Sequence, residues 1–234
     1  MQSKESDYLQ PTEIIDYHHP AVAAFIHRWE EGARTPRDKA VKFYYAVRDG
    51  IRYDPYSIDL SVQGLRASTT LKAVRGWCVP KAALLAACCR AVGIPAKLGY
   101  ADVRNHLSTA RMRAYMKTDV FLWHGYTSVY LEGQWVKATP AFNIELCERF
   151  RLKPLEFDGT GDSLYHSFDL LGNKHMEYIR YRGEYADVPL EKIIRDFEQT
   201  YPNALPSDKF DFAHDVEQEM LSQGETEDRH DSVV

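Results

Sequence analysis

Between Arg75 and Lys97 the chain reads RGWCVPKAALLAACCRAVGIPAK, and its central AALLAACC is apolar at every position. A helix without a polar face belongs inside a domain, so the remaining elements must be arranged around this one. Pro80 suits a first helical turn, where its missing N–H would be orphaned in any case, and Gly93 followed by Ile94-Pro95 marks the end. The spacing predicts a helix over about 79–91. Cys78 then stands at its positive mouth, where unsatisfied N–H groups and the macrodipole favour thiolate over thiol and could cradle the oxygen of a tetrahedral intermediate. Cysteine is also among the most buried residue types, so this segment alone leaves packing and attack both open. Cys88 and Cys89, deep in the helix, read as small hydrophobes.

Two further helices precede it. HPAVAAFIHRWEEG places Pro20 in a first turn, apolar residues at 22, 25, 26 and 29, and a stop at Gly32. In TPRDKAVKFYYAVRDG, Thr35 caps, Pro36 opens, Asp38 follows three residues after the cap, and Ala40, Phe43, Tyr44 and Val47 form one stripe. IRYD reads as a short strand, 54–74 as a loop leading to the cysteine, and AKLGYADV as a strand. RNHLSTARMRAYMKTD, with Arg104, Arg111, Arg113 and Lys117, reads as a solvated loop or surface helix in preference to a lid over a substrate. Residues 150–185 show only weak strand patterns. VPLEKIIRDFEQTYP is a helix with apolar residues at 190, 193, 194 and 197.

The net charge of −5 is concentrated in residues 215–234, which hold seven acids against Arg229 and leave the rest of the chain about neutral. No basic stripe is available for nucleic acid, so no nucleic-acid partner is expected. Nor is a membrane, since no run of about 18 apolar residues occurs. With no signal-like start, the chain reads as soluble and cytoplasmic. Cys78, Cys88, Cys89 and Cys147 lack CxxC spacing and give neither a disulfide framework nor a zinc site. His166 and His175, near Asp158, Asp162, Asp169 and Glu177, offer metal-ligand types without ligand spacing, and no metal or cofactor is expected.

DVFLWHGYTSVYLEGQWVKATPAF reads as a hairpin turning at Glu132-Gly133. A two-residue loop pairs Leu131 with Gln134, which sets Ser128 opposite Lys137, Tyr126 opposite Thr139 and His124 opposite Ala141. Strand alternation then puts His124, Tyr126, Ser128 and Thr139 on one face, with Thr139 the diagonal neighbour of His124.

GWCVPKAALLAACCRAVGIPAK resembles the cysteine-helix motif of transglutaminase-like proteins. HGYTSVYLEGQWVKATP is similar to their histidine strand, turn and return strand, and TPRDKAVKFYYAVRDGIRYD to the helix and short strand upstream. The resemblance covers roughly residues 10–145. It implies an α+β, papain/transglutaminase-like core in which the buried cysteine-bearing helix packs on an antiparallel sheet, with additional N-terminal and C-terminal helices. It also implies a Cys-His-Asp triad, mapping Cys78 to nucleophile and His124 to base. The aspartate position maps to Thr139, a departure. A threonine oxygen can accept the imidazole N–H but brings no charge to stabilise imidazolium. Asn143, Asp102 or Asp119 could fill the place instead.

The expected organisation is a single domain over 1–214, with its motif core at about 10–145 and a C-terminal cover at 146–214, followed by a disordered acidic tail at 215–234. The expected activity is thiol-dependent acyl transfer or hydrolysis at a peptide or protein amide through a Cys78 thioester. Hydrolysis is favoured, because soluble members of the family it resembles are commonly labelled cysteine proteases, and no calcium-site pattern is present. The rivals are a non-catalytic peptide-binding or protein-binding module, motivated by Thr139, and an amide-forming enzyme with an amine acceptor. The oligomeric state is open.

Overall fold

The computed structural model describes residues 6–105, 108–164, 170, 172, 176–201 and 210–231, with side chains as far as Leu221. Helices α1 (Pro20–Glu30) and α2 (Pro36–Gly50) fall where proline and cap signals put them. Thr35 Oγ1 accepts from the Asp38 N–H at 3.1 Å and the Asp38 carboxylate accepts from the Thr35 N–H at 3.0 Å, a reciprocal capping box. β1 (Arg52–Tyr53) pairs in parallel with β2 (Arg75–Gly76). Between them the expected loop contains two short helices, α3 (Val62–Leu65) and α4 (Ala67–Ala73). Each is too short to show a helical period in sequence.

The central helix α5 (Cys78–Ala91) is buried from Cys78 to Arg90. Its two cations are satisfied by backbone carbonyls. Lys81 Nζ donates to Arg48 O at 2.9 Å and to Ile51 O, covering carbonyls at and just beyond the end of α2. The Arg90 guanidinium reaches Ala96 O, Gln10 O and Ala186 O. Burial pulls the Lys81 ammonium down to about 7, against the attraction of Asp49.

A four-stranded antiparallel sheet packs on α5 in the order β5-β4-β3-β6, built from β3 (Ala96–Asn105), β4 (Val120–Leu131), β5 (Gln134–Ala138) and β6 (Met176–Tyr185). Glu132 and Gly133 turn the β4–β5 hairpin with φ of 50° and 87°, as a tight two-residue loop requires. Leu131 faces Gln134 and Ser128 faces Lys137, the expected register. The ladder stops at Thr127–Ala138, however, so the nominal pairs Tyr126–Thr139 and His124–Ala141 are not part of it. β6 is an edge strand whose Ile179 and Tyr181 are 48% and 60% exposed, which explains its weak pattern in sequence.

The remaining helices are α6 (Ala110–Met116), α7 (Ile144–Arg149), α8 (Leu190–Thr200) and α9 (Phe212–Asp231). Helix α9 corrects the expectation of a disordered tail from residue 215. Phe212 and Val216, four apart, are buried, Met220 continues the row, and Asp215 and Glu219 pair with Arg111 and Arg113 of α6. The basic stretch expected to be solvated therefore buries Met112 and Met116 on one side and meets the acidic helix on the other. His166, Asp169 and His175 lie outside the described residues. Among the described residues no helix is long and apolar enough to cross a membrane.

Candidate active site

Trp77 caps α5 with extended backbone and offers no side-chain acceptor, so the first N–H groups of the helix are left to other partners. The backbone N–H groups of Gly125, Val79 and Cys78 itself lie close enough to the Cys78 sulfur to favour its thiolate. Cys78 is 5% exposed, and burial pushes its thiol up to about 11 although those three amides pull the other way. The amides and the helix dipole, legible from the position of Cys78 at a helix mouth, favour thiolate. In the closed site, desolvation outweighs them.

β4 lies directly against this turn. A Cβ on Gly125 would stand 3.2 Å from Val79 Cα and 3.4 Å from the Cys78 carbonyl, so any side chain there would force helix and strand apart by a few tenths of an ångström. Two residues on, Thr127 Oγ1 donates to Ala82 O at 2.8 Å. Two strand residues advance about 6.7 Å and the four helical residues from Cys78 to Ala82 about 6 Å, so strand and helix stay in step.

His124, immediately before Gly125, is also 5% exposed and lines the same cavity as Cys78. A β-bulge precedes it. Ala101 faces His124 and Val103 faces Phe121, leaving Asp102 opposite both Leu122 and Trp123, and Trp123 takes φ of 58°. Asp102 Oδ1 accepts from the Trp123 N–H at 3.2 Å and its carboxylate is gripped by Arg182, with Nε at 2.9 Å from both oxygens. Arg182 Nη1 and Trp123 Nε1 both donate to Asp196 of α8, at 2.6 and 2.9 Å. From the same side Tyr201 Oη accepts from the Leu122 N–H at 2.8 Å. The segment that aims His124 is thus fixed by groups from β3, β6, α8 and Tyr201 just beyond it.

The four residues considered as partners of His124 are in different states. Asp102 is committed to Arg182 and Trp123. Asn143 Oδ1 accepts from the Tyr53 N–H at 2.9 Å while its amide donates to Glu145 at 2.6 Å. Asp119 is half exposed and paired with Arg104 at 3.0 Å. Thr139 leaves β5 through its N–H, which donates to Ser163 O at 2.8 Å, and its buried Oγ1 makes no hydrogen bond among the described residues.

Sequence reasoning missed Gly125, Trp123 and the Asp102–Arg182–Asp196 chain. A glycine inside a strand is a signal of close backbone approach and could have found the first. No residue type announces a tryptophan at positive φ.

The profile of the transglutaminase-like superfamily matches residues 23–140, just over half of the chain, and the protein belongs to that superfamily. Its mixed helix and sheet architecture is the transglutaminase-like, papain-like core. No curated protein matches the chain in sequence. Among solved structures it is similar to a "putative cysteine protease" from Cytophaga hutchinsonii, at 18% identity and a TM-score of 0.45, over 60% of this chain and 43% of that one. It is also similar to a "putative protease" from Parabacteroides distasonis, at 13% identity and a TM-score of 0.38, over 58% of this chain and 26% of that one. The chain thus spans less than half the length of either.

Proposed function

We propose that the protein carries out thiol-dependent acyl transfer or hydrolysis at an amide bond of a peptide or protein. Cys78 attacks the carbonyl, His124 takes the thiol proton and returns it to the leaving amine, and a thioester remains on Cys78. Water or an amine then resolves it. The observation that carries this reading is that the cavity bounded by Cys78, the first residue of the buried helix α5, is also bounded by His124. The N–H groups of Cys78 and Val79 serve as oxyanion donors once the sulfur has moved onto carbon. Thr139 takes the orienting role in our reading because, of the four candidates, it is the one whose side-chain oxygen is buried with no hydrogen-bond partner among the described residues. The same reading makes the enzyme cytoplasmic, where thiols persist; none of its four cysteines is in a disulfide.

A second reading, a binding module without turnover, is favoured by the raised Cys78 thiol and the missing carboxylate at Thr139. Incubation with 4-nitrophenyl acetate, followed by mass spectrometry of the intact chain, separates the two. The enzyme reading expects a single acetyl thioester on Cys78, formed faster than on free cysteine, slowed in His124→Ala and lost in Cys78→Ala. Acylation of Cys78 no faster than free cysteine supports the binding module. Adding an amine during turnover distinguishes transfer from hydrolysis by the product formed.

A further inference from the structure

The cavity beside Cys78 and His124 has an uneven chemistry. Its walls include Trp77, Met112, Met116, Phe121 and Phe197, and among the described residues no lysine, arginine, aspartate or glutamate lines it. Besides the reacting pair and the Trp77 indole N–H, its polar side chains are Tyr53, Asn105 and Tyr201, and the Tyr201 hydroxyl is already engaged, accepting from the Leu122 N–H and donating to Val120 O. Its free space is about 40 Å³. Since one water needs about 10–15 Å³ on this scale, the space holds about three waters, the room of a small branched side chain. A charged or carboxamide group placed there would lose its water and find few partners, whereas an aliphatic group loses nothing and displaces poorly bonded water. Thioether side chains adapt to the shape they meet, and two of them form the wall supplied by α6.

We infer that the acyl side of the scissile carbonyl carries a small, uncharged, apolar group, seated in the cavity between Trp77 and Met112 and Met116 of α6. The inference rests on the thioester reading above. Met112 and Met116 are specificity residues: they touch the acyl group and take no part in proton transfer. The step itself is unchanged, with the S–C bond forming at Cys78 as the bond to the leaving group breaks.

The test compares 4-nitrophenyl esters of acetate, 3-methylbutanoate and succinate, following Cys78 acylation in the full chain. Each rate is divided by that of free cysteine with the same ester, which removes intrinsic reactivity. The branched aliphatic ester should exceed acetate by about tenfold, the scale on which an apolar pocket reads added carbon, and succinate should be slowest. Met112→Leu should keep that order, while Met112→Gln and Met116→Gln should erase the aliphatic advantage. Equal normalised rates for all three esters, or a preference for succinate, overturn the inference while leaving the thioester reading intact. No acylation of Cys78 by any of them would remove that reading and this one together. The wild-type series decides the matter even where a variant fails to fold.

Discussion

Gly125 stands so close to the start of the buried helix that a methyl group on it would meet Val79 Cα at 3.2 Å. The obstacle is backbone, which cannot swing aside as a side chain does. Gly125→Ala should therefore push β4 away from α5, carry the Gly125 N–H away from the Cys78 sulfur, and cost about 1–3 kcal/mol as overpacking. Chemical denaturation would read the loss, and acylation of Cys78 should fall with it. Gly50→Ala is the control. Nothing lies within 4 Å of a Cβ there, at the end of α2, and a gain of about 0.5 kcal/mol is expected. Equal stability of the two variants would refute the close approach as a constraint.

The Cys78 thiol gives a pH dependence of definite sign. Burial raises it from 9.0 to about 11, so above pH 9 the unfolded chain releases this proton while the folded one keeps it. Folding stability from this group is complete below pH 9 and is lost as pH climbs through 11, by about 2 kcal/mol across that window. Cys89 and Cys147, both raised by burial to about 12, extend the slope upward. Urea midpoints of wild type and Cys78→Ala at pH 8 and 10.5 should converge as pH rises if the variant starts less stable. A difference constant with pH would mean the thiol is not desolvated.

Lys81 sets the opposite slope. Burial lowers it from 10.5 to about 7, so between those values the unfolded chain holds a proton that the folded one lacks, and stability rises with pH. Below pH 7 the penalty is fully present, on the order of 4 kcal/mol. Lys81→Met loses two hydrogen bonds to carbonyls but carries no such penalty. Its stability relative to wild type should improve as pH falls from 10 to 7 and then level off. A relative stability that does not change over this range would show that the amine is solvated when folded.

What was legible in the sequence was whatever local chemistry dictates. Pro20, Thr35, Pro36 and Asp38 fix two helix starts, Glu132-Gly133 fixes a hairpin, and a helix apolar all round can only be central. The same hairpin arithmetic correctly gives the ladder from Leu131 to Thr127. It fails at Thr139 because Ser163, a residue far along the chain, captures the backbone there. Cys78 and His124 were picked out from their motifs, and they line one cavity. The devices around them were hidden because they depend on distant partners: Asp102 needs Arg182, the bulge at Trp123 needs both, and the acids of α9 look like a solvated tail until α6 supplies their arginines. The thiol was misjudged for a related reason. Amides and helix dipole can be read from position in a helix, but the depth of desolvation is set by everything packed outside it.

Arg182 tests the support of the histidine segment. Its pairing with Asp102 is nearly buried, at 14% and 6% exposure, and removing one partner of such a pair strands the other charge. Arg182→Met should destabilise by about 3 kcal/mol and slow Cys78 acylation in the fraction that remains folded, since the bulge before His124 loses its anchor. Asp102→Asn should be milder for the strand, because its side-chain oxygen can still accept the Trp123 N–H. Acylation of folded Arg182→Met at the wild-type rate would show that the network holds the fold without positioning His124.

The contact between α6 and α9 should respond to salt. Arg111 Nε lies 2.6 Å from Asp215, whose carboxylate also accepts from Tyr56 at 2.7 Å, and Arg113 Nη2 lies 2.6 Å from Glu219, which accepts in addition from the Ala110 N–H at 3.0 Å. These pairs are partly exposed, so ions screen them, while Met112 and Met116 on the opposite side of α6 remain in the cavity wall. Asp215→Asn combined with Glu219→Gln should speed amide hydrogen exchange across 110–116 severalfold at low ionic strength and little at high. Because those methionines wall in the thiol, iodoacetamide should also reach Cys78 faster in the double variant, again only at low ionic strength. Exchange that matches wild type at both salt concentrations would show that apolar contacts, and not these charges, keep α6 closed over the site.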